Sequence, residues 1–211
     1  MSLPIFFLCL LSISLTINAD PQPTGVLLNC GGNFAEESGG LKYVVDNNFI
    51  RVGNKSAINQ PNILPILKTV RYFPNAKAKK YCYNFQSSSG EKYLVKTIYY
   101  YGGFDGGIEP PVFDQIIDGT KWNTVDTRED FKDGLVSYYE VIVMAHSRML
   151  SLCLARNQHT RSSPFISAIE VHHLEGSLYN STDFDKHALV TVARSTFGSA
   201  NIEIIGYEFY L

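Results

Sequence analysis

The strongest restriction on the fold is how the apolar residues are spaced. They come in short alternating runs, and no stretch carries the apolar stripe of an amphipathic helix longer than about two turns. Residues 93–101 are dominated by β-branched and aromatic side chains, with Lys96 on the face opposite Val95 and Thr97. Residues 112–117 form a second run, closed by the turn signal Asp118-Gly119, and 138–144, 149–154, 165–171, 188–192 and 202–205 follow. Breaks at Gly102-Gly103, Gly106-Gly107, Asp133-Gly134, Glu175-Gly176 and Phe197-Gly198 separate them. Many short strands without an internal repeat or linker predict one all-β domain, an antiparallel sandwich of jelly-roll type. Its core face is expected to hold Val95, Ile116, Val141, Val143, Leu150, Leu152, Ile169 and Val171.

The first nineteen residues carry no charge, and Ile5 to Ile17 are almost wholly apolar. That run is shorter than the roughly 20 residues of a membrane-spanning helix, and it ends in Asn18-Ala19 before a polar, proline-rich stretch. The expectation is a cleaved signal peptide over 1–19 and a secreted domain over 20–211, with no membrane insertion after cleavage. The formal charge of −2 and the lack of a basic stripe argue against nucleic acid as a partner. Cys9 leaves with the signal, and Cys30, Cys82 and Cys153 remain for an oxidising compartment, with three pairings open. Asn54-Lys55-Ser56 and Asn180-Ser181-Thr182 are sequons, so Asn54 and Asn180 are candidate glycosylation sites.

Several local motifs occur in an order that resembles one family. Leu28-Asn29-Cys30-Gly31-Gly32 is similar to the opening strand of malectin-like domains, and Tyr43 to Phe49 to their Tyr-x-x-Asp-x-x-Phe segment. Val70-Arg71-Tyr72-Phe73-Pro74 with Tyr81-Cys82-Tyr83 resembles a passage of plant receptor-like kinases. Tyr101-Gly102-Gly103-Phe104-Asp105-Gly106, Pro110-Pro111-Val112-Phe113-Asp114 and Pro164-Phe165-Ile166-Ser167-Ala168 follow in order. The resemblance implies a jelly-roll module outside the cell that perceives cell-wall glycans or secreted peptides. In malectin an aromatic pair at this strand end and an acidic residue before the Pro-x-x-x-Ala strand help bind glucose disaccharides. Tyr101 fits the first position, but Gly102 stands at the second aromatic and Ser162-Ser163 at the acidic place. The resemblance therefore does not carry malectin's own ligand over.

The candidate binding residues are Tyr101, Phe104 and Asp105. Sugars stack on aromatic rings while carboxylates take their hydroxyls, and the surrounding glycines let backbone approach a ligand. The alternation that offers Tyr101 as a platform also allows it, and Tyr99 more so, to be core. Lys77, Lys79 and Lys80 read as a solvated loop. His172-His173 would point to opposite faces of a strand and cannot chelate one metal together. Asp105, Glu109, Asp114 and Asp118 mark no glycosidase pair, and no Gly-x-Ser-x-Gly elbow occurs. The sequence thus predicts a non-catalytic module with no cofactor and no metal. Its partner would be a carbohydrate or, alternatively, a secreted peptide or receptor ectodomain bound without sugar.

Overall fold

The protein is described here by a computed structural model covering residues 25–106 and 109–192. Its strands are β1 (Val26–Asn29), β2 (Glu36–Ser38), β3 (Leu41–Val45), β4 (Asn54–Ala57), β5 (Thr69–Tyr72), β6 (Lys80–Gln86) and β7 (Lys92–Tyr99). After these come β8 (Val112–Ile117), β9 (Thr120–Asp126), a short helix α1 (Arg128–Asp133), β10 (Ser137–Met144) and β11 (Met149–Ala155). The described chain closes with β12 (Phe165–Ile166), β13 (Ala168–Leu174) and β14 (Leu189–Val190). Single 3-10 turns lie at Asp46–Asn48 and Pro65–Leu67. The expected strand at 202–205 lies outside the described residues.

Three sheets result, ordered β14-β10-β7-β13-β1-β3-β2, β6-β11-β8-β9 and β12-β5-β4. Every strand pair is antiparallel except β1 with β3. The seven- and four-stranded sheets face each other: the Thr97 and Tyr99 hydroxyls of β7 both donate to Gln115 Oε1 of β8, at 2.7 and 2.9 Å. Alternation along β7 places Tyr93, Val95, Thr97 and Tyr99 in that interior. Chain 165–174 changes sheet at Ser167, which is fully buried. Its hydroxyl accepts the Tyr100 N–H, its carbonyl the Cys30 N–H, and its own N–H bonds to the Ile98 carbonyl.

Of the expected core, Val95, Val141, Val143, Leu150, Leu152, Ile169 and Val171 are buried. Ile116 is not. Unbroken alternation along β8 turns Phe113, Gln115 and Ile117 inward instead; the register shift against β9 leaves its extra residue, Trp122, on β9. Ile116 pairs with Cys153 and stays half-buried on the outer face. In an Ile116-Ile117 pair, one residue of register decides which isoleucine is core.

Lys96 does face away from Val95, as its position predicts, yet it is buried. Glu170 and Glu140 lie in register on either side of it. Its Nζ is 3.5 Å from Glu170 Oε1, the Tyr43 hydroxyl donates to the same oxygen at 2.8 Å, and His172 Nε2 is 3.1 Å from Oε2. Burial alone would raise the Glu170 pKa; the His172 contact, the Lys96 charge and the Tyr43 hydrogen bond outweigh it and hold the carboxyl below its ordinary value.

Leu152 makes no contact with solvent, so Leu152→Ala is expected to cost about 2–5 kcal/mol in chemical denaturation. Because the folded Glu170 pKa is depressed, its contribution is complete above the unfolded value of about 4.3 and is lost as pH falls through the lower folded value. The stability gap between the native protein and Glu170→Gln should therefore be full near neutrality and narrow under acid. A gap that widens with acid would reverse the assignment.

Candidate functional site

The strand β7 ends at the three residues that the sequence singles out, and the fold does bring them together. Tyr101 is only 2 % exposed. Its ring meets Phe131 at 4.8 Å between centroids, Phe104 at 5.4 Å and Phe165 at 5.9 Å, and its hydroxyl donates to the Asp105 carboxylate. Burial raises the Tyr101 pKa well above the ordinary phenol value, and Asp105 raises it further. Phe131 comes from α1, a helix stopped by Gly134 at φ 72°. As packed, the Tyr101 ring has no face open to a ligand, because Phe131 lies against it.

The departure at Gly102 has a steric cause. The residue sits at φ +52°, and a Cβ there would lie 2.5 Å from Ile58 Cγ2. An aromatic side chain has no room at this place while Ile58 packs as it does. On the other side, Ser162 uses its hydroxyl to donate to the Glu109 carbonyl at 2.9 Å.

The other chemistry-bearing residues are dispersed. Asp114 on β8 accepts from Asn157, Thr124 and Lys121; burial opposes its charge, but these three contacts outweigh burial and lower its pKa. Asp118 sits in the β8–β9 turn and accepts the Ser151 N–H. His172 and His173 take opposite faces, toward Glu170 and Glu91. No group of three or more potential metal ligands occurs among the described residues. Cys82 and Cys153 are opposed on β6 and β11 and form the disulfide, leaving Cys30 free and buried. Burial, with Asp46 nearby, pushes the Cys30 thiol pKa up, which favours the neutral thiol.

Sequence reasoning missed a cleft of about 1240 Å³ on another part of the molecule. One wall is β6, the end strand of its sheet, where Cys82, Asn84 and Gln86 line the space. The opposite wall is the segment 48–52, with residues 25–26 and 148–149 at the ends. A buried ion pair holds that wall. The Arg71 guanidinium of β5 grips Asp46 through Nε at 2.5 Å and one terminal nitrogen at 2.6 Å. It also donates to the Asn47 side chain and to the carbonyls of Val52 and Gly53. Residues from five separated stretches of the chain line the cleft, so no local motif announces it.

Comparison with known proteins places these features in context. The model of the malectin-like domain family matches residues 28–209. A leucine-rich repeat receptor-like serine/threonine-protein kinase of Arabidopsis thaliana is 33% identical over 177 residues, covering 80% of this chain and 20% of that protein. A further receptor-like protein kinase of the same plant is 29% identical over 185 residues, covering 83% of the chain and 20% of its own length. The chain thus spans about a fifth of these relatives. Among solved structures, the plant receptor-like kinase FER aligns with a TM-score of 0.65 at 19% identity, over 80% of this chain and 47% of that one. The ANX1 ectodomain of Arabidopsis thaliana aligns at 0.62 with 18% identity, over 72% and 42%. A structure of the plant peptide RALF23 in complex with FER and LLG2 aligns at 0.61 with 18% identity, over 72% and 49%.

Removing Arg71 leaves Asp46 charged and buried without its partner. Arg71→Met is therefore expected to cost about 3–5 kcal/mol, whereas Arg51→Met, an exposed change on the same wall, should stay within about 0.5 kcal/mol. Equal effects of the two in urea denaturation would show that the pair does not hold the wall.

Proposed function

The chain belongs to the malectin-like domain family, and from that membership we propose that it is a non-catalytic recognition module of the receptor-kinase ectodomain type. It works outside the cell, engaging a secreted peptide together with a partner protein. The observation that carries this reading is the likeness to FER, whose complex with the RALF23 peptide and LLG2 shares this fold. The kinase parts of the relatives lie outside the matched region, so any signalling enzyme would reside elsewhere. Peptide recognition ranks ahead of carbohydrate stacking because Tyr101 is packed under Phe131. Stacking a sugar on Tyr101, with Phe104 as wall and Asp105 as acceptor, first requires α1 to move aside.

Secretion belongs to the same proposal: residues 1–19 act as a cleaved signal, and Asn54 and Asn180, both exposed, carry glycans. Asn54 stands on the edge strand β4, and Asn180 accepts from Lys92 at 2.6 Å.

The test immobilises the secreted, glycosylated protein and measures binding of RALF23 with and without LLG2 by interferometry, beside a panel of neutral and acidic oligosaccharides. The expected outcome is saturable peptide binding that strengthens with LLG2, and no response to neutral glucose disaccharides. Saccharide binding abolished by Phe104→Ala, with no peptide binding, would overturn the proposal in favour of a lectin.

A further inference from the structure

The cleft beside β6 differs from the rest of the surface in its charge. Its lining includes two arginines, Arg51 and Arg148, and no aspartate or glutamate, although the chain as a whole carries a formal charge of −2. Both arginines are exposed, and neither side chain has a hydrogen-bond or ion-pair partner among the described residues. By contrast Arg71, Arg128 and Arg161 each stand within 4 Å of a carboxylate. Beside the arginines lie two exposed apolar side chains, Val52 at 52 % and Met149 at 47 %. Arginine and methionine next to uncovered apolar surface are the residue types that interfaces favour.

The backbone of β6 supplies the second half of the recognition. Asn84 N–H points away from β11 to the Phe49 carbonyl, at 3.4 Å. Alternation turns the main chain of Cys82 and Gln86 to that same side, where neither has a main-chain partner among the described residues. An edge with free N–H and C=O groups can pair with another chain; among the described residues this edge bonds only to Phe49, at Asn84, a contact that an added strand would take over. We propose that the cleft binds an extended acidic peptide, which adds as a strand along β6 and sets its carboxylates on Arg51 and Arg148. Guanidinium forks match carboxylates in geometry as well as charge, so the arginines select the acid and the edge selects extended backbone. An acidic polysaccharide has the first feature but cannot pair with the edge. The inference rests on the peptide-recognition reading and adds to it a location and a chemistry.

The experiment titrates the isotope-labelled mature protein with acetyl-(Glu-Thr)3-amide at low salt and follows amide resonances. Controls are acetyl-(Lys-Thr)3-amide, the glutamate peptide N-methylated at alternate amides, and hexagalacturonate. Expected are saturable shifts at Cys82 and Gln86, binding weakened at least about tenfold by Arg51→Gln with Arg148→Gln and by N-methylation, and none with the lysine peptide. Both arginines being exposed, an unchanged thermal midpoint should show that the double variant folds. Equal binding by the double variant, or no binding at low salt, would overturn the proposal. So would hexagalacturonate binding at the same residues with indifference to N-methylation, which would identify a polysaccharide anion site. RALF23 and LLG2 binding, measured on the native protein beside the glutamate peptide, separates the two readings. If RALF23 binds and the glutamate peptide does not, the cleft assignment alone falls; if neither binds, peptide recognition falls with it.

Discussion

The contact between Asp46 and Arg71 joins all three sheets. Asp46 directly follows β3 of the seven-stranded sheet, Arg71 belongs to β5 of the three-stranded sheet, and the Tyr83 hydroxyl of β6, in the four-stranded sheet, donates to Asp46 at 3.0 Å. Asp46 is wholly buried and Arg71 nearly so. Such a pair adds little net stability over apolar residues of equal size, because desolvating two charges offsets most of their attraction. What it supplies is geometry: each partner is strongly penalised in any arrangement that leaves it alone. Close approach nearby depends on Gly31, at φ 78°, where a Cβ would lie 2.2 Å from the Val70 carbonyl oxygen.

From that junction follows a contrast between two parts of the surface. Around Tyr101 the aromatic rings of Phe104, Phe131 and Phe165 fill the space that a ligand would use, and the tyrosine hydroxyl is spent on Asp105. Beside β6 the reverse holds: the strand and the segment 48–52, whose Val52 carbonyl Arg71 contacts, line an open cleft. One main-chain bond, from Asn84 to Phe49, bridges the two walls. The same chain thus closes the place its family resemblance points to and opens another.

Legibility in the sequence followed strand length. The strands β7, β8, β10 and β11 are six to eight residues long, enough for a two-residue period to show, so their existence and most of their inward faces are readable without a structure. The strands β1 to β5 are three to five residues long and too short to establish a period, and β1 and β3 pair in parallel through contacts no local pattern specifies. The error at Ile116 was one of parity: the alternation of β8 runs inward through Phe113, Gln115 and Ile117 and leaves Ile116 on the outer face.

The sequence by itself determined the all-β class, the nearness of Tyr101, Phe104 and Asp105 at one strand end, and the family, because each is encoded in local spacing or in the order of short motifs. Only the tertiary structure decided that Cys82 pairs with Cys153, that Phe131 covers Tyr101, that Lys96 is buried, and that Arg51 and Arg148 share a cleft. These facts join residues that lie from tens to nearly a hundred positions apart or depend on what packs over a side chain. Backbone alternation states which way a side chain points, and the packing of distant segments states what it meets there.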